Sequence, residues 1–315
     1  MRSLRIVFMG TPDFAVATLA ALVESDYSVV GVITAPDRPA GRGRSLRESA
    51  VKKYAVEQGI VVLQPTNLKN TDFLEELKAL KANLQIVVAF RMLPKVVWAM
   101  PEYGTFNLHA SLLPDYRGAA PINWALINGE SKTGVTTFFI DEKIDTGAII
   151  MQFECEINDD DNAGALHDRL MQAGAELVLA TVDKIAEDEV KTYTQKDLKT
   201  VHAAPKLTKE NCQIQWDQPL KSIYNHIRGL SPYPTAWTNL VNGEDEIYLK
   251  VYAADYVEEE HSTLPGKVLN EKSKIRIAAK GGYLDLTEIQ LPGKRKMTAK
   301  EVLNGLKLDD NAHLV

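Results

Sequence analysis

Short apolar runs alternate with amphipathic stretches through the first half of the chain. Residues 4–9, Leu-Arg-Ile-Val-Phe-Met, are mostly apolar and stop at Gly10; roughly Pro12–Ser25 has helical spacing; Val29–Thr34 is a second apolar run. Together they predict a βαβ opening. A helix over about Ser49–Gln58 leads to a strand at Ile60–Leu63, and one near Asp72–Lys81 leads to a strand at Leu84–Phe90. The alternation continues through Thr105–Leu108, Val135–Ile140 and Ile149–Phe153, and a helix over about Ala163–Glu187 ends it. Strands this rich in Val and Ile, with helices between them, predict an α/β fold. Its centre is a doubly wound, mostly parallel, Rossmann-like sheet covered on both faces.

The texture then changes. Residues 191–209 are polar and basic without periodicity and read as a linker. Beyond them strand-like pieces recur between turns, at Ala236–Val241, Ile247–Tyr252, Gly266–Leu269, Ile275–Ala279 and Tyr283–Ile289. Asn242-Gly243 is a hairpin turn signal. This half predicts a C-terminal OB-like β-barrel. The expected organisation is a first domain over 1–190, a linker over 191–209 and a barrel domain over 210–315.

Charge narrows the partners. The net charge is -6, with 15 Lys+Arg against 15 Asp+Glu in residues 205–315, so the whole deficit falls on the first 204 residues. A surface that coats nucleic acid indiscriminately is excluded; any RNA contact must use local basic patches. Cys155 and Cys212 are far apart, show no metal-type spacing and read as free thiols. The apolar stretch at the start is too short for a signal sequence, and no run of about 18 apolar residues exists, so a cytoplasmic protein is expected.

The candidate chemistry lies in residues 104–124 and 141–147. Asn107 and His109 are two apart at the end of a strand, so both side chains project to one face. The carboxyl ends of strands are where open α/β sheets bind ligands. The acidic loop Asp141-Glu142-Lys143-Ile144-Asp145-Thr146-Gly147 can bring a carboxylate beside the histidine. An amide, an imidazole and a carboxylate suit acyl transfer to an amine. Asn107 and a protonated His109 would donate to the oxyanion, and Asp145 would orient His109 and help carry the proton away. Singly, each residue has an ordinary structural reading; the combination at a sheet end carries the argument. No Gly-x-Ser-x-Gly elbow marks Ser111 as a nucleophile, and the first βα turn lacks the Gly-x-Gly-x-x-Gly of dinucleotide enzymes. Arg38, Arg42, Arg44 and Arg47 stand around Gly41 and Gly43 in a loop that reads equally as solvated surface or as a phosphate contact.

Asn-x-His-x-Ser-Leu-Leu-Pro followed by Asp-x-Gly resembles the folate-dependent formyltransferase superfamily. The resemblance extends to Gly10–Ala15, Pro36–Arg44, Phe106–Ile122 and Ile144–Gly147, and beyond the first domain to Lys206–Glu210, Ile214–Trp216 and Pro292–Lys294. It implies catalytic roles for Asn107, His109 and Asp145, and 10-formyltetrahydrofolate as formyl donor with no metal. Ser111, Leu112, Leu113 and Pro114 would build the folate-side wall. The family's folate loop, Ala-Tyr-Gly-x-x-Leu-Pro, is one residue shorter here and lacks the glycine, so Arg91, Met92 and Leu93 are assigned only as a loop. The Gly-Arg-Gly-Arg segment and the second domain imply methionyl initiator tRNA as the amine acceptor. Arg38, Arg42, Arg44, Lys206 and Lys209 would then contact tRNA, and Lys294–Lys296 could add phosphate contacts. The rivals are the same chemistry on a small amine, a nucleotide or a UDP-amino sugar, and a non-catalytic RNA-binding module. An assay for formyl transfer settles the last of these.

Overall fold

A computed structural model describes residues 1–40, 45–195, 201–271 and 274–315. In chain order the first strands and helices are β1 (Arg5–Gly10), α1 (Asp13–Glu24), β2 (Ser28–Ile33), β3 (Arg38–Ala40), β4 (Ser45–Arg47), α2 (Ala50–Glu57), β5 (Val62–Leu63), α3 (Thr71–Ala79), β6 (Leu84–Val88) and α4 (Lys95–Trp98). There follow β7 (Thr105–His109), β8 (Arg117–Gly118), α5 (Pro121–Ile127), β9 (Lys132–Phe139), β10 (Ile149–Glu156), α6 (Ala163–Ala186) and β11 (Ala203–Ala204). The remainder is α7 (Leu220–Leu230), β12 (Ala236–Asn242), β13 (Asp245–Glu258), β14 (Val268–Glu271), β15 (Lys274–Ala279), β16 (Gly282–Gln290), β17 (Met297–Thr298), α8 (Ala299–Leu303) and β18 (His313–Leu314).

The chain separates into two compact units. The first comprises 1–118, 133–155 and 167–203; the second comprises 119–132, 156–166 and 204–315. The first is built on a sheet in the order β10-β9-β7-β6-β1-β2-β5. β5, β2, β1, β6 and β7 run parallel, and β9 turns antiparallel against β7. The doubly wound, mostly parallel sheet expected from the alternating runs is therefore present. Every residue of β6 is buried, as are all of β1 after Arg5, which follows from helices covering both faces. Gly10 ends β1 where the chain turns into α1. A Cβ there would stand 2.6 Å from the Ala15 Cβ and 3.1 Å from the Val88 carbonyl, so only glycine allows the turn to pass this close to β6.

The second unit is an antiparallel sheet in the order β14-β15-β16-β13-β12-β18, with β17 on β16. It curls towards closure. The Leu314 N–H donates to the Gly266 carbonyl at 2.8 Å and the Val268 N–H to Ala312 at 3.1 Å, which joins the two edges. This is the expected barrel, nearly closed. Gly243 takes the left-handed conformation after Asn242, as the hairpin signal predicts. Leu220, Ile223, Ile227 and Leu230 of α7 pack into the barrel core with Leu249, Val251, Leu284 and Ile289. The pattern reading gave α7 no place. Neither Cys155 nor Cys212 is in a disulfide. Among the described residues no helix is long and apolar enough to cross a membrane.

Candidate active site

β7 sits between β6 and β9 and delivers Asn107 and His109 to its carboxyl end. Asn107 pairs in register with Val87 and Phe138, and His109 with Thr136. Asn107 is half-buried, and its carboxamide makes no hydrogen bond among the described residues. His109 is 6 % exposed. Its Nε2 lies 2.8 Å from the Tyr116 carbonyl oxygen, an acceptor only, so the proton sits on Nε2 and is donated there. Nδ1 faces Asp145, with Oδ2 3.8 Å away. The three residues singled out by spacing and resemblance thus come together.

Asp145 lies on the loop between β9 and β10 with φ +53°, the left-handed region, which costs a side-chain-bearing residue on the order of 1 kcal/mol. Its Oδ2 accepts the Gly118 N–H at 3.0 Å. The Thr146 hydroxyl and the Lys143 N–H both donate to Asp141, closing the loop on itself. At Gly147 a Cβ would fall 1.6 Å from the Phe139 carbonyl oxygen, so the loop returns to the sheet only through glycine.

Sequence reasoning missed the supports. Tyr116, Arg117 and Gly118 act in succession: the carbonyl of the first accepts the His109 Nε2–H, the guanidinium of the second donates to Gln195, and the N–H of the third donates to Asp145. Backbone groups leave no mark in a residue pattern. Gln195 stands in the stretch read as linker, where nothing distinguishes it from its polar neighbours.

The residues assigned to the folate side divide. The side chains of Leu93, Ser111 and Leu113 are buried. Leu93 packs with Val87 and Val97. The Ser111 hydroxyl donates to the Asp115 carbonyl at 2.6 Å, and its own carbonyl accepts from Thr136. Leu113 packs on Phe138 and Ile149. Leu112 and Pro114 are half-buried. The Arg91 guanidinium donates to the carbonyls of Pro65 and Thr66. Met92 is 67 % exposed.

A cleft of about 600 Å3 opens beyond the carboxyl ends of β1 and β2, lined by Thr11, Asp13, Arg38, Arg47, Glu48 and Lys53 among others. Arg38 and Arg47 face each other in register across the β3–β4 hairpin. Like charges opposed across strands repel, and neither arginine has an ion-pair partner among the described residues. Burial, with Arg38 as a second cause, pushes Arg91 below its ordinary value. Arg42 and Arg44 lie outside the described residues. In the second unit Lys206 is exposed. Lys209 is also exposed, and its ammonium sits 5.2 Å from the Trp237 ring centre, with Trp237 stacked on Tyr248 at 5.3 Å.

Comparison with known proteins gives this arrangement a family. A family model described as formyl transferase matches residues 4–182, and one described as formyl transferase, C-terminal domain, matches residues 206–307. The methionyl-tRNA formyltransferase of Flavobacterium johnsoniae is 57 % identical over 312 residues, 99 % of each chain. That of Bacteroides thetaiotaomicron is 53 % identical, covering 98 % of this chain and 97 % of its own. Among solved structures, the sugar 3N-formyl transferase WlaRD aligns with TM-score 0.66 at 18 % identity, over 94 % of this chain and all of its own. HypX from Aquifex aeolicus, solved with tetrahydrofolic acid, aligns with TM-score 0.65 at 20 % identity, over 98 % of this chain and 49 % of its own. These two support the fold; the close relatives and both family models carry the membership. The chain belongs to the formyl transferase family and, within it, to the methionyl-tRNA formyltransferases.

Proposed function

We propose that this enzyme transfers the formyl group of 10-formyltetrahydrofolate to the amino group of methionyl initiator tRNA by direct attack of the amine on the formyl carbonyl. The observation that carries the mechanism is the meeting of Asn107, His109 and Asp145 at the carboxyl end of β7. Attack turns the carbonyl oxygen into an oxyanion. The Asn107 carboxamide, with no hydrogen bond among the described residues, is the donor aimed at it. Because Nε2 of His109 is committed to Tyr116, the ring works through Nδ1. As a lone pair, Nδ1 takes the proton that the attacking amine must lose. Once protonated, it faces the Asp145 carboxylate and can then donate to the oxyanion or the leaving nitrogen. No metal is required by this chemistry.

The folate lies, in this reading, against the backbone of residues 91–93 and 111–114, with Leu112, Pro114 and Met92 as the accessible side chains. The tRNA is held by Arg38, whose opposition to Arg47 is relieved by meeting phosphate, by Arg42 and Arg44, and by Lys206 and Lys209 of the second unit. Trp237 and Tyr248 beside Lys209 offer a surface on which a base can stack. Catalysis belongs to the expected first domain, 1–190, and tRNA binding to the barrel, 210–315, in the cytoplasm where translation begins. Incubation with 10-formyltetrahydrofolate and methionine-charged initiator or elongator tRNA tests the reading. N-formylmethionine should form on the initiator; formylation of a small amine in preference to either tRNA would overturn it.

A further inference from the structure

Gln195 is 7 % exposed and uses every hydrogen-bonding position of its carboxamide. Its Nε2 donates to the carbonyls of Asp145 and Gly147, each at 2.9 Å. Its Oε1 accepts from Arg117 Nε at 3.1 Å and Nη2 at 2.6 Å. Two carbonyls at one end and a guanidinium at the other leave one orientation of the amide possible. The next residue after Arg117 is Gly118, whose N–H holds the Asp145 carboxylate. Asp145, Gln195, Arg117 and Gly118 therefore close a ring of contacts around the left-handed Asp145.

The same stretch of chain also steadies the other partner of His109. Tyr193 bridges to Ile149 through two backbone bonds, just before Gln195. Further on, the His202 carbonyl accepts the Tyr116 N–H at 2.7 Å, and the His202 N–H donates to the Asp115 carboxylate. Tyr116 supplies the carbonyl to which His109 donates. Both groups that face the imidazole are thus held by Gln195 and His202.

We propose that Gln195 is a positioning residue for formyl transfer: by bonding the carbonyls of Asp145 and Gly147 it sets the Asp145 carboxylate against Nδ1 of His109. The role rests on the catalytic reading of Asp145, and Asp145→Ala tests that reading separately by losing activity. Without Gln195 the two carbonyls lose their donor, the left-handed residue relaxes, and the carboxylate drifts. A misplacement on the order of 1 Å lowers turnover by roughly tenfold to hundredfold.

Gln195→Glu separates the two ends of the side chain. It keeps the pairing with Arg117 but presents an acceptor, in place of a donor, to the two carbonyls. Gln195→Glu and Gln195→Ala are compared for kcat, for KM towards 10-formyltetrahydrofolate and for thermal melting. Both should lose kcat by at least about tenfold with the folate KM kept within about twofold. In the Asp145→Ala background, Gln195→Ala should add less than about twofold to the loss, because coupled residues do not act independently. Near-normal kcat in a folded Gln195→Glu, or a loss that multiplies fully with that of Asp145→Ala, would overturn the proposal while leaving Asp145 catalytic. If Gln195→Ala does not fold, Gln195→Glu decides. Full activity in Asp145→Ala would overturn the catalytic reading itself.

Discussion

A methyl group at Gly147 would overlap the Phe139 carbonyl oxygen outright, and a backbone atom in the sheet cannot step aside as a flexible side chain can. Gly147→Ala is therefore expected to destabilise the protein by on the order of 3 kcal/mol, read as a lower denaturant midpoint. It should also depress turnover, since the Gly147 carbonyl is one of the two that Gln195 holds. Asn107→Ala removes a donor without leaving a buried partner unsatisfied. It should lower kcat by roughly 10²–10³ with folate affinity and melting temperature nearly unchanged; steady-state kinetics beside a melt would show it, and near-normal turnover would rule out the oxyanion role. At this scale the sequence was informative where side chains do the chemistry. The two-residue spacing of Asn107 and His109 on a strand dictates a shared face. It was silent where backbone atoms do the work, as at Tyr116 and Gly118. At His109 the Tyr116 carbonyl engages Nε2, and Nδ1 is left to face Asp145.

Strand pairing in the barrel sets up a second test. Arg276 and Asp285 are in register across β15 and β16, and the buried Asp285 carboxylate accepts from Arg276 Nε at 2.7 Å and Nη2 at 2.9 Å and from Lys274 Nζ at 2.9 Å. Arg276, ahead of Lys274, holds this carboxyl below its usual range. A depressed folded value stabilises above the unfolded one, about 3.9 for Asp, and that stability is lost as pH falls through the folded value. Asp285→Asn should thus melt lower than wild type at neutral pH, and the gap should narrow once the pH drops below about 4; a gap independent of pH would show that shape, not charge, matters there. Elements were legible where one period dominates. The parallel strands and α1, α2, α3 and α6 lie within a residue or two of their predicted bounds. Helix α7 was overlooked although Leu220, Ile223, Ile227 and Leu230 recur at helical spacing, because it is short and stands among strand signals. The loop at 89–94 looked anomalous for its missing glycine; Ala89 takes the left-handed conformation there at φ +48°.

For the whole molecule the question is how a chain of net charge -6 attracts a polyanion. Arg38 and Arg47 are opposed across β3 and β4, and Arg42 and Arg44 lie between them in sequence. Arg42→Ala with Arg44→Ala should raise KM for methionyl-tRNA, leave folate affinity nearly intact and flatten the salt dependence of tRNA binding, since each lost phosphate contact releases fewer counterions. An unchanged salt slope would reduce the loop to solvated surface. Removing residues after about 205 is harsher than the sequence suggested. Segments 119–132 and 156–166 belong to the second unit, so the cut removes their partners. Asn123 of α5 donates to the Gly229 carbonyl at 2.7 Å, and the glycine lets Ile127 lie against α7. The shortened chain should melt at a lower temperature as well as lose tRNA use.

That interleaving reaches back to synthesis. Helix α5 is made about a hundred residues before α7, the helix on which it rests. At translation rates of roughly 5–20 residues per second it waits on the order of ten seconds with its apolar side uncovered. During that interval the nascent chain can fold its first sheet yet must carry a piece of its unfinished second half as an open seam. A chaperone that captures short apolar helices has its opportunity on this polypeptide then, and loses it once α7 emerges and the seam shuts.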